Sequence, residues 1–506
     1  MDKKEKFIQE ITKGYTFKGE SFVLGGAMLD GEAISKLPVK VPLSTLNRHG
    51  LIAGATGTGK TKSLQVMAEQ LSEKGIPVLL MDIKGDLSGL AKPSPGHPKI
   101  DERMQKIGLE FTPNGFPVEM LSLTGKQGVQ LRATVSEFGP VLLSRILDLN
   151  DTQGGIVAVL FKYADDQKLP LVDLKDFKEL IKWATGPGKK EFQKEYGRIS
   201  TASTGSILRK IVELEQQGAE LFFGEPSFEI EDLMRIDEQG RGIISIIRLT
   251  DIQDKPKLFS TFMLQLLAEI YTKMPEQGDA DRPELVFFID EAHLIFKNAS
   301  KALLEQIESI IKLIRSKGVG IYFVTQNPRD IPDEVLAQLG LKIQHALRAF
   351  TAKDRKAIKL AAQNFPITEY YKTDEVLTSL GIGEALISVL GRKGRPTPLV
   401  ATLMRAPMSR MDILNDDELK EILKKSQLID KYKKNIDKKT AYEILNKKIE
   451  KAIETKEKTK RKTVEEPSMV EKALKSSVGK MIIREVTRSL LGVLGLRSTY
   501  RRKRRK

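Results

Sequence analysis

Cysteine is absent from all 506 residues, which excludes disulfides and every thiolate metal site. Histidine is scarce, and His49, His97, His293 and His345 are too scattered along the chain to suggest a zinc cluster. No run approaches the roughly 18 consecutive apolar residues of a membrane span. The amino terminus MDKKEKFIQEITKGYT is charged where a signal peptide would carry an apolar core. These absences leave a cytoplasmic protein as the expectation. Hydrophobic residues make up 40% of the chain, enough for a large core, and the length predicts two or three domains.

The formal charge of +16 is unevenly spread. After residue 410, 28 Lys and Arg stand against 15 Asp and Glu, whereas the first 410 residues carry 55 against 52. A nearly balanced body therefore precedes a basic tail ending in RRKRRK at 501–506. Such a tail is either a solvated extension or a site for a polyanion.

Residues 1–45 read as a short strand-rich lead-in, with SFVLGGAML and LPVKVPL punctuated by glycine and proline. From Gly50 the pattern changes. LIAGATGTGK predicts strand and loop, TKSLQVMAEQLSEKG an amphipathic helix closed by Gly75, and IPVLLMDI a buried strand, together one βαβ unit with parallel pairing. Residues 132–237 read as a mainly helical insertion, carried by FGPVLLSRILDLN, GGIVAVLFKYADD, DLKDFKELIKWAT and STGSILRKIVELEQQG. Strands return at RGIISIIRL, ELVFFID and VGIYFVTQ, with a helix in FSTFMLQLLAEIYTKM. This alternation predicts an α/β fold with a mainly parallel sheet. GEALISVL and TPLVATLM, around the turn GRKGRP, predict a hairpin or an extension of the sheet. Residues 411–506 read as a basic, helical or partly disordered tail, in which Val470, Leu474, Met481, Ile482, Val486 and Leu490 can share an apolar stripe.

The chemistry is concentrated in a few short stretches. Gly54, Ala55, Thr56, Gly57, Thr58, Gly59, Lys60 and Thr61 fit G-x-x-x-x-G-K-[ST] at every fixed position. Glycine permits positive φ, so successive N–H groups can turn inward around phosphate oxygens while the next helix presents its positive end. Lys60 is expected at the β and γ phosphates and the Thr61 hydroxyl at Mg²⁺, with Lys62 beside them. In LVFFIDEAHLIF the pair Asp290 and Glu291 follows a buried strand. A carboxylate there can hold the magnesium shell and its neighbour can polarise an attacking water; Asp290 is assigned the metal and Glu291 the base. His293 completes DEAH, but with one glycine loop present it reads as a local structural residue rather than part of a two-core helicase. Asp82, ending IPVLLMD, either lies near the phosphates or simply caps a helix. Gln326, ending VGIYFVTQ, could sense the γ phosphate. Arg315, in IRSKGVG, is by itself a surface arginine.

Taken together, GATGTGKT, MDIKGD, FFIDEAH, IRSKGVG and FVTQNPRDIP, in this order, resemble the HerA/FtsK superfamily of P-loop ATPases. NDTQGG, LEQQG, FFGEP, HALRAFT and APMSRM narrow the likeness to the bacterial helicase-HerA-like family, over roughly residues 20–410. The resemblance implies a RecA-like ASCE core at 46–410, ATP with Mg²⁺, and a homo-hexameric ring in which a neighbour's arginine completes each site. It makes Lys60 and Thr61 the nucleotide-binding pair, Asp290 and Glu291 the acidic pair, Gln326 the polar sensor and Arg315 the arginine finger acting in trans; it also places Arg48 near the nucleotide. The implied function is an ATP-hydrolysing ring motor that translocates on or remodels DNA. The alternative is an ATP-dependent switch or assembly ATPase whose tail binds a protein partner or an acidic membrane surface. Archaeal HerA proteins carry a substantial amino-terminal barrel, whereas about 45 residues precede the glycine-loop strand here, so partner recognition is expected to differ.

Overall fold

In the computed structural model, which describes residues 2–278, 280–297, 301–391, 393–433 and 440–450, the strands form one sheet. They are β1 (Ser21–Leu29), β2 (Glu32–Pro42), β3 (Gly50–Ala53), β4 (Val78–Asp82), β5 (Val118–Ser122), β6 (Val129–Gln130), β7 (Ile244–Arg248), β8 (Leu285–Ile289), β9 (Val319–Thr325), β10 (Leu341–His345), β11 (Glu384–Ser388) and β12 (Val400–Met404). Their order is β2-β1-β12-β11-β10-β3-β9-β8-β4-β7-β5-β6. From β10 to β6 every neighbouring pair is parallel. The strands on the other side of β10 pair antiparallel. The result is a RecA-like core in which β9 separates the glycine-loop strand β3 from the acidic-pair strand β8.

The parallel strands have nearly unbroken apolar sequences because helices cover both of their faces. Every residue of β3, β4, β8 and β9 is buried. One core joins Ile52, Val78, Leu80, Val286, Phe288, Tyr322 and Val324 from the sheet to Leu64, Met67, Ala68 and Leu71 of the helix Lys60–Glu73. Burying each of the larger side chains contributes about 1.5–3 kcal/mol. That helix was expected to be amphipathic. Instead Gln65, Glu69 and Ser72 on its polar face are buried as well: residues 405–411 cross over the first two, and Ser72 Oγ donates to Gly242 O at 2.6 Å. Glu69 accepts hydrogen bonds from the amides of Met408 (2.8 Å) and Ser409 (2.9 Å), and the Gln65 amide donates to Ser409 Oγ at 2.6 Å.

The lead-in differs from its sequence reading. It begins with a helix, Lys3–Gly14, held by a capping box between Asp2 and Glu5; only then come β1 and β2, which join the main sheet through β12. β11 and β12 pair with each other and also extend the sheet, so both expectations for them hold. Residues 132–237 are rich in helix, and three of the helices start with reciprocal capping boxes: Thr134 with Glu137, Asn150 with Gln153, and Asp173 with Asp176. The first, Val135–Ile146, is kinked at Gly139, where φ is +72° and Pro140 follows.

The chain divides into two units, Met1–Tyr442 and Glu443–Lys506. The boundary expected at 410 is therefore displaced: Asp416–Lys425 and Leu428–Lys433 are helices of the first unit, and Leu419, Leu428 and Tyr432 are buried. Lysines between these apolar residues made the segment read as tail. In the second unit residues 443–450 are helical. The apolar stripe at 469–494 and the basic end at 501–506 lie outside the described residues. Among the described residues, no helix is long and apolar enough to cross a membrane.

Candidate nucleotide site

Strand register brings the motifs to one edge. Ala53 pairs with Thr325, Phe323 with Ile289, and Ile289 with Met81. Gly54, Gln326, Asp290 and Asp82 therefore leave their strands side by side at the carboxyl edge of the sheet, where open α/β sheets bind ligands.

The loop from Gly54 to Gly59 is anchored on both sides. Gly54 N–H donates to Thr325 O (3.2 Å), Ala55 N–H to Ala346 O (2.8 Å), and Gly383 N–H to Thr58 O (3.0 Å). Thr58 Oγ1 closes the turn on Ala55 O at 2.7 Å, while Thr56 and Gly57 are exposed at its tip. Gly59 has φ of +115°, which favours glycine, and a Cβ there would also come within a tight 3.2 Å of the Gly383 backbone. Lys60 starts the next helix, with its Nζ 3.1 Å from Ala55 O. Burial, with help from the Lys84 charge, pushes its ammonium below the ordinary value, and Glu291 and Asp290 oppose that. Thr61 and Lys62 are half-buried; Lys62 Nζ donates to Met411 O and reaches Gln65 Oε1 at 3.3 Å.

Asp290 and Glu291 are both buried, at 4% and 5% exposure. Asp290 Oδ2 has no hydrogen-bond partner among the described residues. Burial raises its carboxyl to about 7, with the Glu291 charge adding to the effect and Lys84 opposing it. Glu291 adopts φ of +46°, a left-handed conformation that a non-glycine residue holds at a cost. Its Oε1 pairs with Lys84 Nζ, and its Oε2 lies 3.1 Å from His293 Nδ1. Burial works to raise the Glu291 carboxyl, but Lys84, His293 and a hydrogen bond from Gln326 together hold it below the usual range. His293 thus touches the acidic pair instead of serving only local packing.

Not every expected residue faces this edge. Asp82 is fully buried, and its oxygens accept from the amides of Gly85 (2.7 Å), Asp86 (3.2 Å) and Leu87 (3.3 Å). Of its two readings, the cap is the one the geometry favours. Arg48 ends the turn Leu43–Arg48 before β3, and Arg315 lies in the turn Arg315–Lys317 before β9. Both belong to the amino edge of the sheet, and their turns pack together. The placement of Arg48 near the nucleotide is not met within a single chain.

Residues that the sequence reading passed over complete the site. His345, ending β10, lies beneath the loop, with Nδ1 2.8 Å from Glu384 O and Nε2 2.9 Å from Ser63 Oγ. Burial lowers it to about 4, so the ring is neutral; it donates from Nδ1 to the carbonyl and accepts the serine hydroxyl at Nε2. Beside Lys62 and Ser63 a cavity of about 510 Å³ is bounded by Ser94, His97, Arg103, Gly383 and Arg405. Lys84 could have been found, since it stands inside the MDIKGD stretch; His345 and the cavity are made by segments hundreds of residues apart.

The family profile described as "Helicase HerA-like C-terminal" matches residues 28–490. The chain belongs to the HerA-like family. It is similar to the DNA double-strand break repair helicase HerA of Saccharolobus solfataricus, 24% identical over 368 residues, which cover 72% of this chain and 66% of that protein. It is also similar to the DNA import protein CedB of Sulfolobus acidocaldarius, 24% identical over 348 residues, covering 68% and 50%. The HerA-like chain thus spans just under two thirds of the length of the HerA proteins it matches. Among solved structures, the plasmid coupling protein TrwB in complex with ADP and Mg²⁺ has a TM-score of 0.51 at 16% identity, covering 79% of this chain and 98% of that one, which supports the RecA-like fold.

Proposed function

We propose that this HerA-like chain is an ATPase working as a ring motor that translocates on or remodels DNA. The observation that carries the reading is the convergence of Lys60, Thr61, Asp290, Glu291 and Gln326 at one sheet edge, with Asp290 Oδ2 buried and lacking a partner among the described residues. The donors fit magnesium carried by a polyphosphate: Thr61 and Asp290 offer oxygen, and magnesium is usually held by one or two protein oxygens together with waters and phosphates. TrwB, with a similar fold, is known bound to ADP and Mg²⁺, and the HerA relatives are named as DNA repair helicases.

In this mechanism the amides of Gly57 to Lys60 and the Lys60 ammonium bind the phosphates, and the cavity beside Lys62 receives the nucleoside. Bound magnesium neutralises charge on the phosphates. Glu291 takes a proton from the attacking water at its carboxylate, and Gln326 orients that carboxylate. Arg315 completes the site of a neighbouring subunit in a homo-hexamer. The unit ending at Tyr442 supplies the chemistry, the basic tail engages DNA or a protein partner, and the protein works in the cytoplasm, where ATP is available. The tail stripe behind the switch reading lies outside the described residues, and nothing else among the described residues favours that reading.

ATP turnover measured with and without duplex DNA across a salt series tests this, with Lys60→Ala as the blank. Stimulation that weakens steeply with salt is expected, since phosphate contacts release counterions. Turnover indifferent to DNA at low salt, with no binding, would remove the motor.

A further inference from the structure

Lys84 has no role in the mechanism above, yet it is the cation nearest the base. It stands in the turn that follows β4, two residues after Asp82, whose carboxylate ties down the amides of Gly85 and Asp86. The stem is thus rooted in a fixed turn while the side chain remains 40% exposed. Its Nζ pairs with Glu291 Oε1, and His293 Nδ1 lies 3.1 Å from Oε2. In this arrangement the Lys84 ammonium is paired by charge with Oε1 and His293 Nδ1 lies beside Oε2, although neither contact has hydrogen-bond geometry; Lys84 therefore crowds the oxygen that would accept a proton from water.

The same ammonium senses the rest of the site. Asp290 and Asp86 attract it, and Lys60 and Lys84 are close enough to repel one another. Partial burial works against its charge, but Glu291 and Asp290 keep it well protonated. A terminal phosphate held by Lys60 carries more negative charge than the single carboxylate of Glu291, and a lysine is a mobile point charge on a four-carbon stem.

Building on the nucleotide-site reading, we propose that Lys84 is a positioning residue that exchanges partners: it holds Glu291 in the nucleotide-free chain and transfers to the terminal phosphate of a nucleoside triphosphate, releasing Glu291 Oε1 to accept the proton of the attacking water. A diphosphate lacks the group that draws Lys84 away, so the base stays held after hydrolysis. Lys84 therefore makes the site selective for triphosphate and couples that selectivity to the base.

The test is equilibrium binding of ADP and of a non-hydrolysable ATP analogue, with Mg²⁺, to the full chain and to Lys84→Met, Lys84→Arg and Lys60→Ala. Lys84→Met is expected to lower the preference for the analogue over ADP at least tenfold, with ADP affinity within threefold of the parent, and Lys84→Arg to restore most of the preference. A structural role alone would weaken both nucleotides together. Unchanged preference in Lys84→Met, or equal loss of both nucleotides, overturns the exchange while Lys60-dependent binding in the parent leaves the nucleotide site standing. Absence of Lys60-dependent binding in the parent overturns both.

Discussion

Arg315 and Gln326 stand at opposite ends of β9, the first in the turn before Val319 and the second just after Thr325. At about 3.3 Å per residue the intervening strand separates them by roughly 20 Å or more. Gln326 stands at the glycine-loop edge of its own chain, a distance the Arg315 side chain cannot span, so the proposed finger has to act on a neighbouring chain. Arg315→Ala is expected to cut ATP turnover by about 10³-fold or more while leaving nucleotide affinity within a few-fold. Steady-state turnover alongside equilibrium binding checks this; a matching loss of affinity would count against a role across subunits.

The segment over the Lys60–Glu73 helix gives a second expectation. Glu69 is fully buried and accepts from the Met408 and Ser409 amides. Glu69→Ala leaves both donors without that acceptor, at about 1–3 kcal/mol each, and loosens a wall of the cavity beside Lys62. Denaturant unfolding should show a loss of about 2–6 kcal/mol, with weaker nucleotide binding, and Glu69→Gln should fall between the variant and the parent. Stability equal to the parent in Glu69→Ala would show that the crossing segment is not held there.

A third concerns acid. His49 is buried, with Nε2 2.9 Å from Ile311 O and Nδ1 accepting from the Ile321 amide at 3.0 Å. Burial lowers it to about 4, with the Arg315 charge adding to this. The folded chain keeps the ring neutral where the unfolded chain, at about 6.5, protonates. The stabilisation is complete above that pH and is lost as the pH falls toward 4. Between pH 6.5 and 5, His49→Gln should therefore lose about 2 kcal/mol less unfolding free energy than the parent. Parallel pH slopes for the two proteins would contradict the assignment.

A fourth follows from the loop. Gly59→Ala forces a side chain into φ of +115° against the Gly383 backbone. Triphosphate affinity should fall by more than tenfold with the rest of the fold retained, as read by binding and by circular dichroism.

Local sequence carried most of the central α/β architecture. The strands ending at Ala53, Asp82, Ile289 and Thr325 are apolar runs closed by a glycine, an acidic residue or, after Thr325, a glutamine, and such runs are legible because both faces of a parallel sheet are buried. The glycine loop and the acidic pair were equally legible, since their chemistry requires fixed residue types at fixed spacing. The Lys3–Gly14 helix was not, because its few apolar positions, Phe7, Ile8 and Ile11, are lost among lysines and glutamates. Lys84 meeting Glu291, and His345 beneath the loop, depend on strand order, which no local pattern encodes. Arg48 was placed near the nucleotide by the resemblance alone, and within one chain it lies at the amino end of β3; Asp82 was open between two readings, and the tight turn after β4 favours the cap.

Subunit mixing tests the shared site most directly. Lys60→Ala and Arg315→Ala chains, each nearly inactive alone, are combined and assayed for ATP turnover. A Lys60→Ala subunit still offers Arg315 to a neighbour whose loop is intact, so the mixture should recover a substantial fraction of parental activity. Mixed assemblies that stay as inactive as their components, or an Arg315→Ala chain that turns over ATP at the parental rate, would contradict the account.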